Sequence, residues 1–209
     1  MDTEVFRAWI VSAAGVIEAN RDHLTQLDAA IGDADHGINL SRGFTAVLGA
    51  LDSAANTPGA ILTLTGNTLI SRVGGASGPL YGTAFRRAGK ALGGAADVDL
   101  AALSAALDAA LAGVQQLGAA REGDKTMVDA LAPAARAFSK AIAAGASPDD
   151  ALSVLVEAAT AGAAATVPMQ ALKGRASYLG PRSVGHEDPG AVSTALILGA
   201  LVGAAQAGR

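Results

Sequence analysis

The chain has 209 residues, with 15 Lys and Arg against 19 Asp and Glu, a net charge of −4. No basic face or aromatic-interleaved basic stripe stands out, which argues against nucleic acid as a partner. It has no cysteine and three histidines, so disulfides and thiolate metal sites are excluded and any metal must take oxygen or imidazole ligands. Hydrophobic residues reach 51% while aromatics are only 3%, and runs such as AALSAALDAALAGV are built from the best helix formers. With no alternating β pattern, the expectation is an all-α protein forming a single domain over residues 1–209.

The first ten residues, MDTEVFRAWI, lack a basic segment leading into an apolar one, so no signal peptide is expected and a cytoplasmic location is. Phe6, Trp9, Ile10, Ala13 and Ile17 recur at helical spacing and predict a first helix ending near Asn20. A second is expected from about 36 to 52 and a third from about 58 to 73, broken by GGASGP. Ser77 is placed as the cap of a fourth, with Pro79 in its first turn. Asp97 or Asp99 opens a fifth helix to about Leu117, and Asp124 a sixth to about Ala143. The SPDD run at 147–150 starts a seventh, and Asp188 with Pro189 an eighth. The apolar run at 191–205 is shorter than the roughly 18–20 residues that span a bilayer and reads as a buried helix, with no membrane association expected. About eight helices result. One long polar connector, 173–190, carries Lys173, Arg175, Tyr178, Arg182 and His186 and is expected to be a lid.

Between Leu27 and Gly43, LDAAIGDADHGINLSRG crowds Asp28, Asp33 and Asp35 beside His36 and Asn39. Carboxylates so close repel one another unless a cation lies among them, and hard oxygen ligands favour Mg²⁺ or Mn²⁺. Calcium in an EF-hand is excluded, because DADHGI puts Gly37 at the fifth place and Ile38 at the sixth. Four glycine-bearing connectors lead into helices: 36–39, 74–78, 123–126 and 188–190. Helix N-termini of this kind bind anions, phosphate above all. Acid cluster and anion loops are compatible if a metal bridges them, which points to metal-nucleotide binding. GAAREGDKT at 118–126 nearly spells a phosphate loop, but Asp124 intrudes before the lysine and no strand precedes it. Lys125 and Thr126 are left between phosphate contact and solvent, and Met127 reads as core.

Four segments in order, GDADHGINLSRGF, GGASGPLYGTAF, GDKTMVDALAPA and KGRASYLGPRSVGHEDPGAVS, closely resemble the nucleotide-binding L subunit of dihydroxyacetone kinases. The resemblance covers nearly the whole chain. It implies an antiparallel eight-helix barrel with ADP or ATP held at one end through two Mg²⁺ ions. It makes Asp28, Asp33 and Asp35 the metal ligands, catalytic through the metal. It makes His36, Gly37, Ile38, Asn39, Ala76, Ser77, Gly118, Met127, Arg175, Asp188, Pro189 and Gly190 the nucleotide contacts. Tyr81 and Leu40 stand where relatives carry Phe and Met. The implied reaction is phosphoryl transfer to dihydroxyacetone held by a partner subunit. In the three-component type that the chain resembles, bound ADP is recharged by a phosphotransferase-system donor subunit. An ATP-dependent subunit for another short ketose or tetrose, or a nucleotide-dependent module docking a transcriptional regulator, are the alternatives. Either a monomer or a homodimer is compatible with the apolar content.

Overall fold

The computed structural model describes residues 1–53 and 56–208, and among these it is all-helical, with no strand. Its α-helices are α1 (Thr3–Ala19), α2 (Arg21–Ile31), α3 (His36–Ala50), α4 (Pro58–Arg72), α5 (Ser77–Leu92), α6 (Leu100–Gly118), α7 (Val128–Ala143), α8 (Pro148–Ala165) and α9 (Pro189–Ala207). Eight of them pack in a closed ring, α1 on α3, then each on the next through α9, which returns to α1. Ring neighbours run antiparallel, as the resemblance implied: short connections join the consecutive helices from α3 to α8, α2 joins α1 to α3, and the long connector joins α8 to α9. The ninth, α2, lies outside the ring order against α3 and α9 at one end.

The helix α2 is absent from the sequence expectation. Its buried residues are Leu24, Asp28 and Ile31, at i, i+4 and i+7, so a carboxylate occupies a slot that an apolar residue would otherwise mark. The other helices follow their start signals, with two corrections. Ser77 does not cap α5: it is the helix's first residue, its hydroxyl donates to Gly74 O at 3.4 Å, and the N-cap is Ala76 with no side-chain bond. The sixth predicted helix, α7, begins at Val128 rather than Asp124, because Lys125 sits in the left-handed region at φ 61° and interrupts helical backbone.

The predicted stripe of α1 is buried in full, Phe6, Ile10, Ala13 and Ile17 at 0% exposure and Trp9 at 4%. Trp9 meets Phe6 and Phe85 with ring centroids 5.9 and 5.6 Å apart, Phe85 meets Phe44 at 6.3 Å, and the Trp9 indole donates to Ile197 O at 2.8 Å. Each buried large side chain contributes about 1.5–3 kcal/mol, and this aromatic group joins α1, α3, α5 and α9 across the ring. The helix α9 runs 19 residues, longer than the apolar run suggested; it and α6 are long and apolar enough to cross a membrane by length and composition. Both are members of the ring, and 56% of the α9 window is buried.

The helices α4 and α5 pack backbone to backbone through paired glycines. A Cβ on Gly59 would stand 2.8 Å from Gly89 O, and one on Gly66 2.5 Å from Gly82 O, with the reverse contacts at 2.6 and 2.7 Å. These paired glycines let two backbones approach to a distance that no side chain would allow.

Candidate functional site

Because ring neighbours alternate, the N-termini of α3, α5, α7 and α9 meet at one end, where they line a cleft of about 170 Å³ together with the C-terminal part of α2. Each helix presents the positive end of its dipole there. Capping differs between the two ends. At the far end α1, α4, α6 and α8 are capped by the side chains of Asp2, Thr57, Asp99 and Ser147. At the cleft the N-cap residues of α3, α5 and α7 make no side-chain cap bond of their own, whereas that of α9, Asp188, accepts from Ala191 N at 2.7 Å. The first N–H of α3 and of α7 is taken instead by a neighbouring side chain, His36 N by Asp28 and Val128 N by Thr126 Oγ1 at 3.2 Å, while at α5 no side chain accepts from the first turn among the described residues.

Asp28, Asp33 and Asp35 converge there with one oxygen from each within 4.8 Å of the others. Asp28 reaches this place because α2 projects it inward, 9% exposed, where its Oδ2 accepts from Asp35 N at 2.8 Å and His36 N at 3.1 Å. One carboxylate therefore folds the loop that carries the other two. Asp33 accepts from Arg175 Nε at 3.1 Å. Three hard, anionic oxygens, of which Asp33 alone is paired with a guanidinium, fit Mg²⁺ better than any softer ion.

His36 opens α3, and its Nε2 lies 2.8 Å from Ser193 Oγ on α9. Burial lowers its pKa to about 4, against the pull of Asp28 and Asp35, so the ring is neutral near pH 7 and adds no charge to a helix N-terminus. Tyr81, from α5, brings its hydroxyl to Ser193 Oγ at 2.6 Å, Thr194 Oγ1 at 2.9 Å and Gly190 O at 2.9 Å. A phenylalanine could not make these links between α5 and α9. Burial also raises the Tyr81 pKa, keeping the phenol protonated.

Eleven of the fifteen residues singled out from sequence line the cleft: Asp28, Asp33, Asp35, His36, Ala76, Ser77, Met127, Arg175, Asp188, Pro189 and Gly190. The other four do not. Gly37 faces α2, where a Cβ would stand 2.0 Å from Arg21 O, so it sets the approach of α3 to α2. Ile38 is half exposed. Asn39 accepts from Arg42 at 2.8 Å and abuts Gly74. Gly118 ends α6 behind Leu80, which does line the cleft.

Lys125 and Thr126 line the cleft, and of the two places the sequence left open solvent is excluded for Lys125. It is 1% exposed, and its ammonium donates to Thr166 O at 2.7 Å and to His186 O, tying the 123–126 loop to the end of α8 and to the long connector. Burial lowers its pKa, opposed by Asp188 and Asp129. Asp129, at the start of α7, accepts from Thr126 N at 2.7 Å and Gly123 N at 2.5 Å and fixes the same loop. The connector itself covers the cleft through Lys173, Gly174, Arg175 and Ala176. Residues 175–183 form 3₁₀ turns kinked at Gly180, with Ala176 and Leu179 packed on Ile31 of α2. Asp129 and Ser193 escaped the sequence reading, Tyr81 was noted only as a departure from relatives and Lys173 only as part of the connector, because glycine loops and clustered acids give no signal for a residue that acts through a distant helix.

The model for the DAK2 domain matches residues 30–203. The chain is 42% identical over 199 residues to the PEP-dependent dihydroxyacetone kinase ADP-binding subunit DhaL of Escherichia coli (strain K12), covering 95% of each. It is 40% identical over 205 residues to the ADP-binding subunit DhaL of PEP-dependent dihydroxyacetone kinase 2 of Listeria innocua, covering 97% of this chain and 94% of the relative. Among solved structures it is similar to the dihydroxyacetone kinase from C. freundii in complex with AMP-PNP and Mg²⁺, at 30% identity and TM-score 0.70, over 94% of this chain. The chain spans about a third of that kinase, 33% of its length.

Proposed function

The chain belongs to the DAK2 domain family, and from that premise we propose that it is a Mg²⁺-nucleotide-binding subunit of a dihydroxyacetone kinase. It passes a phosphoryl group from its nucleotide to dihydroxyacetone held by a partner subunit, and a phosphotransferase-system donor subunit recharges the bound ADP. One observation carries the nucleotide reading: four helix N-termini converge on one cleft beside three carboxylates, three of them without a cap bond from their own N-cap side chain, while every far-end ring helix has one. The subunit reading is supported by two relatives of matching length, both named as ADP-binding subunits.

Asp28, Asp33 and Asp35 would hold two Mg²⁺ ions. When bound, the metal screens these carboxylates from the phosphates and neutralises charge building up in transfer. The backbone N–H groups at Ala76, Ser77 and Gly190, which line the cleft, would donate to phosphate oxygens, and the four dipoles would stabilise the charge. Neutral His36 orients the loop without competing for the anion. Met127, in the cleft lining, would flank the nucleoside, Gly118 would act through Leu80, and Arg175 would add a cation from the connector. The protein's contribution is positioning and electrostatics, with no covalent intermediate on this chain.

The direct test is to wash the purified protein in Mg²⁺ buffer without nucleotide, denature it and chromatograph what is released. Stoichiometric ADP is expected. An empty site would overturn the resident-coenzyme reading. In a reconstituted assay with the ketone-binding and donor subunits, Asp33→Asn should lose phosphoryl transfer; near-native transfer with unchanged Mg²⁺ dependence would overturn the metal assignment.

A further inference from the structure

Residues 53–96 contain no acidic residue and four cations, Arg72, Arg86, Arg87 and Lys90, whereas residues 1–52 carry a net charge of −5 and residues 97–209 of −3. This stretch forms α4 and α5. On these two helices lies an open groove of about 970 Å³, with Thr63, Asn67, Thr83, Arg86, Arg87 and Lys90 among its walls.

The cations are seated rather than scattered. A Cβ on Gly66 of α4 would stand 2.5 Å from Arg86 Cγ, and one on Gly113 of α6 2.7 Å from Arg87 Cγ, so a glycine notch on each side receives one arginine stem. Arg87 is held further by donating to Gln116 Oε1 at 3.0 Å. None of Arg86, Arg87 and Lys90 has a carboxylate within ion-pair distance among the described residues. Three like charges within about one helical turn repel, and acids interleaved at i+4 would relieve them; the chain supplies none. Asn67 and Thr83 make no side-chain hydrogen bond among the described residues and face the same groove. The cluster begins nine residues into α5, about 14 Å from the cleft at 1.5 Å per residue, so it lies outside the candidate nucleotide site.

We propose that this groove docks an acidic peptide segment of a partner protein, its carboxylates pairing with Arg86, Arg87 and Lys90. Charge complementarity carries the assignment, since planar guanidiniums in fixed orientation match carboxylates bidentately. Shape favours a peptide over a small anion. The groove is open, and from Thr83 to Gly93 it follows α5 for about 15 Å, the length of four or five extended residues. Hydroxyl and amide side chains along it suit a peptide backbone.

The test is fluorescence anisotropy with fluorescein-labelled hexaglutamate and the full chain, in low salt with Mg²⁺ and ADP present. Arg86→Gln with Lys90→Gln, which keep most of each stem, should weaken binding about tenfold or more. Arg121→Gln with Lys140→Gln, an equal loss of charge elsewhere, should not. Equal weakening by both pairs, or no saturable binding at millimolar protein, overturns the proposal. So does tripolyphosphate displacing the peptide at far lower charge concentration, which marks a small-anion site. A dimer by sedimentation velocity that Arg86→Gln with Lys90→Gln dissolves assigns the groove to a second copy of the chain and overturns it likewise.

Discussion

Replacing Asp28 with Asn separates the two jobs of that carboxylate. Its Oδ2 accepts two backbone N–H bonds that shape the 33–36 loop, and hydrogen bonds to a charged group contribute about 1.5–3 kcal/mol each. Against this stands repulsion from Asp33 and Asp35: at 4.8 Å each pair repels by about 1 kcal/mol at water-like screening and about 3 kcal/mol at an effective dielectric near 20. Asparagine relieves two such pairs and retains one weaker acceptor, so without Mg²⁺ the two effects nearly cancel and stability should change by less than about 2 kcal/mol. With Mg²⁺ and ADP the balance differs. At a ligand concentration of about one hundred times Kd the native protein gains about 2.7 kcal/mol, and a variant bound about a hundredfold more weakly gains about 0.4 kcal/mol. For a chain of this length the difference of about 2.3 kcal/mol is about 5–9 °C in Tm. Differential scanning fluorimetry of both proteins, with and without Mg²⁺-ADP, reads it directly. Equal ligand-induced shifts would refute the metal role of Asp28, and a collapse of the variant in metal-free buffer would refute the balance of repulsion and hydrogen bonding.

Gly37→Ala should destabilise by about 1–3 kcal/mol, because its Cβ would stand 2.0 Å from Arg21 O; an unchanged urea midpoint would show that α2 shifts freely. Lys125→Met leaves His186 O without its donor and Thr166 O with Met169 N alone and should cost about 1–3 kcal/mol. It should also speed trypsin cleavage in the 173–186 connector, and lost stability with unchanged cleavage would contradict the clamp. Thr65 Oγ1 is buried without a partner among the described residues, so Thr65→Val should be neutral or stabilising by up to about 1 kcal/mol, as read by urea denaturation. Burial pushes the Asp188 carboxyl up to about 7, above its unfolded value near 3.9, so the native state binds the proton more tightly. Stability should then fall as pH rises from about 4 to 7. In Mg²⁺-free buffer Asp188→Asn should show a shallower fall than the native protein, and parallel profiles would contradict the assignment.

Most helices were legible in the sequence because their signals sit within a few residues of each other. Asp99, Ser147 with Pro148, and Asp188 with Pro189 start α6, α8 and α9 as expected, and the stripe from Phe6 to Ile17 is the buried face of α1. The acidic cluster and the glycine connectors were legible for the same reason. The misses share a cause. Asp28 broke the apolar pattern of α2 because the site needs a carboxylate where packing would take leucine. Lys125 delayed α7 because its ammonium is satisfied by carbonyls 41 and 61 residues away, and Ser77 is left uncapping at the cleft. Chemistry and long-range contacts overrode local preference at each of these places. Closure of the ring, the meeting of four N-termini at one end and the seating of the two α5 arginines on glycines of α4 and α6 are set by which helices touch. Local sequence determines each helix and its ends, since caps and periodicity act over one or two turns; only tertiary packing decides which ends face one another, because that depends on burying every helix at once.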